Sequence, residues 1–358
     1  MSVALHDLVK RYGDVVALDH CSLEIKSGEL LSLVGPSGCG KSTLLKVIAG
    51  FFAADSGDVE IGGRCVSGLP VRERGIAFVM DRLGLYPHLN VFENIAYPLR
   101  VRRLHGPEIR RRVLSICDLT GINGLEHRKP SELSGGQRQR VAVARALVRD
   151  DALVLLADEC FSDLDAQLKF QLRGEFRSWQ RDRGLTCIFV THDQEEALAL
   201  GDRIALMNMG CIDQVGTPDE VYERPGTLFA AGFLGRPAVN LVPGAMDDGT
   251  LTIFAKKAFE INRMDADVNV AGSLVLGFRP EDAQVSTDST SGIEATVDWV
   301  EPLNPDKLVH LTAGGQKVVA RVRSAVRLDA GAMVQLRIEE SRWHFFDRRT
   351  GARIVARA

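Results

Sequence analysis

The sequence has no C-x-x-C pair, although it contains seven cysteines in 358 residues. The cysteines are scattered and odd in number, which disfavours a disulfide framework or a zinc ribbon. We interpret most of them as small buried hydrophobic residues in a reducing compartment. They are Cys21, Cys39, Cys65, Cys117, Cys160, Cys187 and Cys211.

Long apolar runs and an excess of charge of one sign are also missing. No uninterrupted apolar stretch in the sequence approaches the roughly 20 residues that span a bilayer as a helix. Residues 1–13 lack the apolar region of a secretory signal. The formal net charge is −3, which argues against nucleic acid as the main partner. We therefore expect the protein to stay on the cytoplasmic side of the membrane.

The most informative feature that is present is a glycine-rich stretch between a predicted strand and a predicted helix. The apolar residues 30–34 precede the sequence GPSGCGKST, and the helix starts near Lys41. The glycines allow the backbone N–H groups to point at a phosphate, and the helix adds its positive end. In such a loop Lys41 reaches the β- and γ-phosphates of a nucleotide, where it is also catalytic, and the Ser42 hydroxyl takes one Mg²⁺ position. The loop alone fits kinases, GTPases and many ATPases. The predicted nucleotide-binding residues are Gly35, Pro36, Ser37, Gly38, Cys39, Gly40, Lys41, Ser42 and Thr43.

Strands alternate with helices through the first two thirds of the sequence, which predicts a parallel sheet covered on both faces. We predict an α/β fold, a phosphate-loop NTPase cassette over residues 1–235 with a helical subdomain at about 88–150. Beyond Gly235, short β-like runs separated by turn residues replace the helical periodicity. They predict a small antiparallel barrel over residues 236–358.

Two carboxylates follow a fully apolar predicted strand, residues 152–157. At the end of a buried strand beside the phosphate loop, Asp158 can hold Mg²⁺ through water. Glu159 can act as the general base that polarises the attacking water. The alternative is a carboxylate pair that only caps the following helix.

A helix with two glycines at its start lies between these motifs. Ser134 is a good N-cap, and the glycines let backbone N–H groups approach an anion closely. The sequence from Leu133 reads LSGGQRQRVAVARAL, and it resembles the signature of the ATP-binding cassette ATPases. The resemblance implies contacts with ATP bound by the opposite subunit of a head-to-tail dimer for Ser134, Gly135, Gly136 and Gln137.

The same resemblance assigns roles to further residues. Tyr12 takes the place of an aromatic that stacks on adenine, and His192 that of a histidine that contacts the γ-phosphate. Taken alone, such a tyrosine is usually a packing residue and such a histidine a structural one. Ser162–Asp165 resembles the loop that crosses between two subunits. The segment between Asp81 and His88 resembles the loop that receives the coupling helices of a permease.

Other segments narrow the resemblance to the importer ATPases for sugars, polyols and glycerol phosphate. Residues 73–76, 85–95, 216–222, 237–243 and 277–282 are similar to that subgroup, and the match covers nearly the whole chain. It implies an OB-like regulatory domain at the C-terminus, ATP and Mg²⁺ as cofactors, and ATP hydrolysis coupled to transport at the inner membrane. The implied partners are a second cassette subunit, identical or different, membrane permease subunits and, indirectly, an extracytoplasmic solute-binding protein.

Two residues depart from the subgroup pattern. Asp81 stands where a glutamine is usual; its carboxylate can still give oxygen ligands to Mg²⁺, but when ionised it cannot donate a hydrogen bond. Cys160 stands where proline usually follows the Asp-Glu pair. The departures leave open a weakly active, mainly regulatory cassette that pairs with a different one. With Lys41, Glu159 and His192 present, we expect hydrolysis.

A further alternative is a cassette protein that acts in DNA repair or translation. Such proteins usually carry paired cassettes or long coiled-coil insertions. The sequence has one cassette and no heptad run, which disfavours this reading.

Overall fold

The computed structural model describes residues 2–80, 83–162, 164–247, 250–254, 256–260, 274–287 and 292–354. The chain divides into two compact units, Met1–Pro218 and Asp219–Ala358. The domain boundary near residue 236 stays a prediction. In the ranges just given, no helix combines the length and the apolar character needed to cross a bilayer.

The first unit alternates strands and helices. Its strands are β1 (Val3–Tyr12), β2 (Val15–Ile25), β3 (Leu30–Val34), β4 (Ser56–Ile61), β5 (Arg64–Cys65), β6 (Ile76–Val79), β7 (Val154–Asp158), β8 (Thr186–Val190), β9 (Arg203–Asn208) and β10 (Cys211–Gly216). Its helices are α1 (Lys41–Ala49), α2 (Val91–Val101), α3 (Gly106–Thr120), α4 (Gly135–Leu147), α5 (Ala166–Arg183) and α6 (Gln194–Leu200), and α7 (Pro218–Glu223) starts at its last residue.

A six-stranded sheet forms the centre of the first unit, in the order β10-β9-β3-β8-β7-β6. Only β10 runs antiparallel to its neighbour. Every residue of β3, β7 and β8 is buried, as expected for strands covered on both faces. Because these three strands are adjacent and parallel, the residues that follow them meet at one edge of the sheet.

A second, antiparallel sheet has the order β2-β1-β4-β5. Its inner face shares a hydrophobic core with α1 and the central sheet, in which Leu5, Leu44 and Ile188 are fully or almost fully buried. Helix α1 ends at Gly50, whose left-handed φ of 84° provides the C-cap. The sequence predicts this helix over 41–49 with Gly50 as its stop, and the prediction is confirmed.

Helices α2, α3 and α4 follow one another where the helical subdomain is predicted. Their buried faces form one cluster that includes Ile95, Val113 and Val143 and extends to Phe176 of α5. The sequence predicts helices over 91–103 and 107–119, and both are confirmed except for small differences at their ends.

Arg74 fixes the C-terminal end of α1. Its side chain is buried, and its guanidinium donates to the carbonyl oxygens of Val47 and Ile48, each at 2.9 Å, and to those of Leu69 and Ser67 at 2.9 and 3.0 Å. Burial lowers the pKa of this guanidinium. A cation at the end of a helix also interacts favourably with the helix dipole.

We therefore expect Arg74→Met to lower the free energy of unfolding by about 2–4 kcal/mol, because four carbonyl groups each lose one hydrogen bond. Urea denaturation measures the change. The control is Arg110→Met, which removes an exposed guanidinium and should change stability by less than about 0.5 kcal/mol. Equal denaturation midpoints for the two variants would contradict this role.

The second unit is dominated by antiparallel strands. They are β11 (Asn240–Asp247), β12 (Thr250–Ile253), β13 (Lys256–Glu260), β14 (Leu274–Phe278), β15 (Gln284–Ser286), β16 (Ile293–Leu303), β17 (Asp306–Ala313), β18 (Gln316–Arg323), β19 (Met333–Arg337), β20 (His344–Asp347) and β21 (Arg353–Ile354). Helix α7 extends into this unit, and α8 (Leu228–Phe233) lies between α7 and the first of these strands.

These strands form two sheets, in the orders β13-β12-β11-β14-β20-β21 and β15-β19-β16-β17-β18. Side chains from both sheets, including Leu276 and Leu311, share one core. The predicted all-β character is confirmed. The sequence predicts a small antiparallel barrel, and the structure arranges these strands as two sheets around one core. The sequence also predicts a turn at Asp248-Gly249, and this position lies outside the described residues.

Candidate active site

The phosphate loop connects β3 to α1 at the carboxyl edge of the central sheet. Lys41 is buried, and its Nζ donates to the carbonyl oxygens of Gly35 and Pro36 at 2.8 and 2.9 Å. The loop needs glycine at two positions for steric reasons. A Cβ on Gly35 would lie 2.1 Å from the Met207 carbonyl oxygen, and Gly40 has a φ of 110°.

The N-terminus of α1 is capped by the Gly40 backbone without a side-chain hydrogen bond. The first N–H groups of the helix therefore face the loop rather than a capping side chain, which suits a phosphate. The remaining predicted loop residues, Ser37, Gly38, Cys39 and Thr43, lie in the same continuous turn and helix start.

Two oxygen donors come together next to this loop. Ser42 Oγ donates to Asp158 Oδ1 at 3.3 Å, although the two residues are 116 positions apart. Asp158 is the last residue of β7 and is buried. The third predicted metal ligand, Asp81, lies outside the described residues.

Glu159 and His192 form the second pair at this edge. Glu159 follows β7 and has a left-handed φ of 45°, a conformation that costs free energy for a residue with a side chain. Its N–H donates to the Val190 carbonyl oxygen at 2.9 Å. The His192 Nδ1 lies 3.2 Å from Glu159 Oε2. Their side chains are 53% and 32% exposed, so water can reach both.

The glycine-rich start of α4 is held by a reciprocal capping box. Ser134 Oγ accepts from the Gln137 N–H at 3.3 Å, and the Ser134 N–H donates to Gln137 Oε1 at 3.0 Å. Gly136 is buried, and a Cβ there would lie 2.6 Å from Leu168 Cδ2. Packing against α5 is thus one reason for glycine at this position, besides the predicted approach of an anion to Gly135 and Gly136.

Tyr12 is an exposed aromatic at the end of β1. Its ring is 44% exposed and makes an edge contact with Phe52, with 5.9 Å between the ring centroids. Lys10 Nζ lies 5.6 Å from the centre of the Tyr12 ring. A partly exposed aromatic of this kind can stack on a base.

The segment after residue 82 borders a cavity of about 270 Å³. Tyr86 and Tyr97 pack in its wall with 4.7 Å between ring centroids, and the Arg145 guanidinium lies 5.7 Å from the centre of the Tyr86 ring. Arg145 also donates to the carbonyl oxygens of Leu83 and Gly84. Its burial lowers the pKa of the guanidinium.

The predicted crossing loop Ser162–Asp165 leads into α5. Asp165 is the N-cap of that helix and accepts from the Leu168 N–H at 3.0 Å. Asp163 lies outside the described residues. Cys160 is buried, and burial raises the pKa of its thiol well above the ordinary value, so the thiol stays protonated.

Sequence reasoning did not identify the residues behind His192. Thr191 and Glu196 are buried, and their side chains hydrogen-bond to each other at 2.6 Å. One signal was available in the sequence. Glu196 shares the inward face of α6 with Ala197 and Leu200, where an unpaired carboxylate would be costly.

Comparisons with known proteins follow the same division of the chain. Residues 18–162 match the family model described as ABC transporter, and residues 276–346 match the TOBE domain. A trehalose/maltose import ATP-binding protein, MalK of Thermococcus litoralis, is 41% identical over 98% of this chain and 99% of its own length. An sn-glycerol-3-phosphate import ATP-binding protein, UgpC of Ruegeria sp., is 43% identical over 99% of both chains.

A solved structure supports the cassette architecture. It is the dimeric structure of a post-hydrolysis state of the ATP-binding cassette MJ0796 bound to ADP and Pi. The TM-score is 0.55 at 32% sequence identity, and the match covers 60% of this chain and 98% of the other.

Proposed function

The chain belongs to the ABC transporter family, and from that membership we propose that it is the ATP-hydrolysing, energy-coupling subunit of an importer for a sugar, polyol or glycerol-phosphate-like solute. The family resemblance, the fold class and the ATPase assignment predicted from the sequence are confirmed by the comparisons. The observation that most directly supports hydrolysis is the 3.2 Å approach of His192 to Glu159 beside the phosphate loop.

The residues of this edge suit phosphoryl transfer to water. The loop N–H groups bind the β-phosphate, and Lys41 exchanges its contacts with the Gly35 and Pro36 carbonyl oxygens for phosphate oxygens. Glu159 accepts the proton of the attacking water, which places its carboxylate in the role of general base. His192 has one ring nitrogen beside Glu159 and contacts the γ-phosphate through the other. Tyr12 stacks on adenine.

Mg²⁺ fits the oxygen donors that the site offers. Ser42 and Asp158 supply a hydroxyl and a carboxylate beside the loop, and we propose Asp81 as a further oxygen donor. Within the described ranges no group of three or more His, Cys, Asp or Glu side chains could hold a metal. This suits an ion that completes its shell with water and phosphate oxygens. When bound with ATP, the ion neutralises charge on the phosphates.

We propose further that two subunits close head to tail on ATP, with the second cassette identical or different. Ser134, Gly135, Gly136 and Gln137 stand at the start of α4, where Ser134 is exposed. From there they contact ATP held by the phosphate loop of the partner. Loss of the γ-phosphate removes a shared ligand from the interface, and the pair opens.

This arrangement predicts complementation between two inactive variants. Lys41→Ala damages the loop side of a site and Ser134→Arg the opposite side, so each variant alone forms two damaged sites. In a mixed dimer, one site contains both substitutions. The other site combines an unmodified phosphate loop with an unmodified Ser134 segment and stays intact. Mixing the variants in a Glu159→Gln background should restore retention of about one ATP per mixed dimer.

Retained nucleotide is measured after gel filtration with Mg²⁺ and labelled ATP. Each variant alone serves as its own control. If the mixture retains no more ATP than the separate variants, each site is built from a single chain and the head-to-tail arrangement is wrong.

We propose that the permease binds at the cavity beside Tyr86 and Arg145. It borders the predicted receiving segment, and its wall combines aromatic rings with guanidinium groups. The experiment is purification of the tagged chain from detergent-solubilised membranes. A polytopic membrane protein should co-purify, and the assembly lies on the cytoplasmic face of the inner membrane. Purification without any membrane protein would favour the alternative in which a cassette protein acts in DNA repair or translation.

A further inference from the structure

The Thr191 hydroxyl makes two hydrogen bonds within the turn that carries His192. Thr191 Oγ1 donates to Glu196 Oε2 at 2.6 Å and accepts from the Asp193 N–H at 2.9 Å. One hydroxyl therefore holds the residues on both sides of His192. Thr191 is 2% exposed, so water does not compete for these bonds.

Glu196 connects this turn to another helix. It is 3% exposed, and its second oxygen, Oε1, lies 3.8 Å from the Nζ of Lys169 on α5. Oε1 has no hydrogen-bond partner at shorter range. A buried carboxylate needs both a cation and hydrogen bonds to offset its desolvation, so Thr191 and Lys169 together keep Glu196 in place.

The opposite side of the turn is fixed as well. Asp193 Oδ1 accepts from the Glu195 N–H at 2.9 Å and caps α6, and the Thr191 N–H donates to the Leu33 carbonyl oxygen at 3.4 Å. Leu33 belongs to β3, which leads into the phosphate loop. The backbone of the turn is therefore braced against the same strand that positions the phosphates.

We propose that Thr191 and Glu196 are positioning residues for ATP hydrolysis, which hold the His192 ring against Glu159, and that Lys169 anchors them to α5. The His192 side chain is about half exposed, so the orientation of its ring depends on the turn that carries it. The inference rests on the proposed ATPase function. It adds that the buried Thr191–Glu196–Lys169 chain links the start of α5, which follows the predicted crossing loop, to His192.

The test is a double-mutant cycle on the full chain with Mg²⁺ and ATP. Thr191→Val keeps the shape of the side chain and removes the hydroxyl. It should lower kcat about 10- to 100-fold and leave the KM for ATP within about twofold, because the His192 ring is misplaced while the contacts of the phosphate loop with ATP remain. Thr191→Ser should retain most of the activity. In a His192→Ala background, Thr191→Val should lower kcat less than about twofold.

The matched control is Thr186→Val. Thr186 is equally buried at the other end of β8, and its Oγ1 accepts from the Gly28 N–H at 3.0 Å. This variant loses the same kind of bond but should keep kcat within about twofold. An equal penalty for Thr191→Val with and without His192 would overturn the inference and leave the ATPase function standing. A wild-type chain without turnover would instead overturn the ATPase function.

A second measurement does not depend on turnover. Nitrogen NMR of histidine-labelled protein reports the ring nitrogens of His192. Thr191→Val should shift these signals and Thr186→Val should not. Unchanged His192 signals in Thr191→Val would overturn the positioning role even where the His192→Ala background is too slow to measure.

Discussion

Glu159→Gln should stop ATP turnover and leave ATP binding intact. The amide has the shape of the carboxylate and can still contact His192, but it cannot accept a proton from water. We expect the rate of hydrolysis to fall about 10²- to 10⁴-fold, the usual contribution of a general base. The variant should also hold ATP in a closed dimer, because the step that opens the dimer no longer occurs.

Phosphate release and nucleotide retained after gel filtration measure the two effects. Glu24→Gln is the control, since it makes the same change of charge at an exposed position on β2; its turnover should equal that of the unmodified chain. If Glu159→Gln hydrolyses ATP at the unmodified rate, Glu159 is not the base. If neither protein hydrolyses ATP, the mainly regulatory alternative is favoured.

Gly40→Ala should prevent the phosphate loop from forming. Gly40 has a φ of 110°, and a Cβ there would lie 2.4 Å from the Ala17 carbonyl oxygen and 2.7 Å from Met207 Cε. Backbone strain and the clash together should lower the free energy of unfolding by about 3 kcal/mol. ATP affinity should fall at least about 100-fold, since the N–H groups no longer converge on the phosphates.

Gly124→Ala separates strain from clash. Gly124 also has a positive φ, of 79°, but nothing lies within 4 Å of a Cβ built there. It should cost only about 1–2 kcal/mol and leave ATP affinity unchanged. Calorimetry with ATP and urea denaturation give both quantities. Similar ATP affinities for Gly40→Ala and Gly124→Ala would show that the loop tolerates a side chain at Gly40.

The sequence predicted the elements whose signals are local. The sequence predicts a helix over 41–49 and a strand over 186–190, and α1 and β8 have these bounds. A glycine C-cap ends α1, and a run of apolar residues after Thr186 defines β8. The β10 and β20 strands were not predicted. β10 is an edge strand without clear alternation of buried and exposed residues, and β20 is fixed by its pairing with the distant β14. Such long-range pairing has no local signature.

In the candidate site, too, the sequence predicted the residues that lie in local motifs and missed the contacts that depend on packing. The strand–loop–helix order identified Lys41 and Ser42, and the strand end identified Asp158 and Glu159; their roles in the reaction stay predictions. The Thr191–Glu196 contact could not be predicted, since it depends on how α6 folds back beneath the turn. The steric reason for glycine at position 136 could not be predicted either, because it depends on the packing of Leu168 of α5 against α4.

The capping box at the start of α4 has a consequence for assembly. Ser134 and Gln137 satisfy each other's backbone N–H groups within one chain, so the segment does not depend on a neighbour for its folding. The exposed start of α4 therefore has its final backbone shape in a single chain, before any second subunit is present.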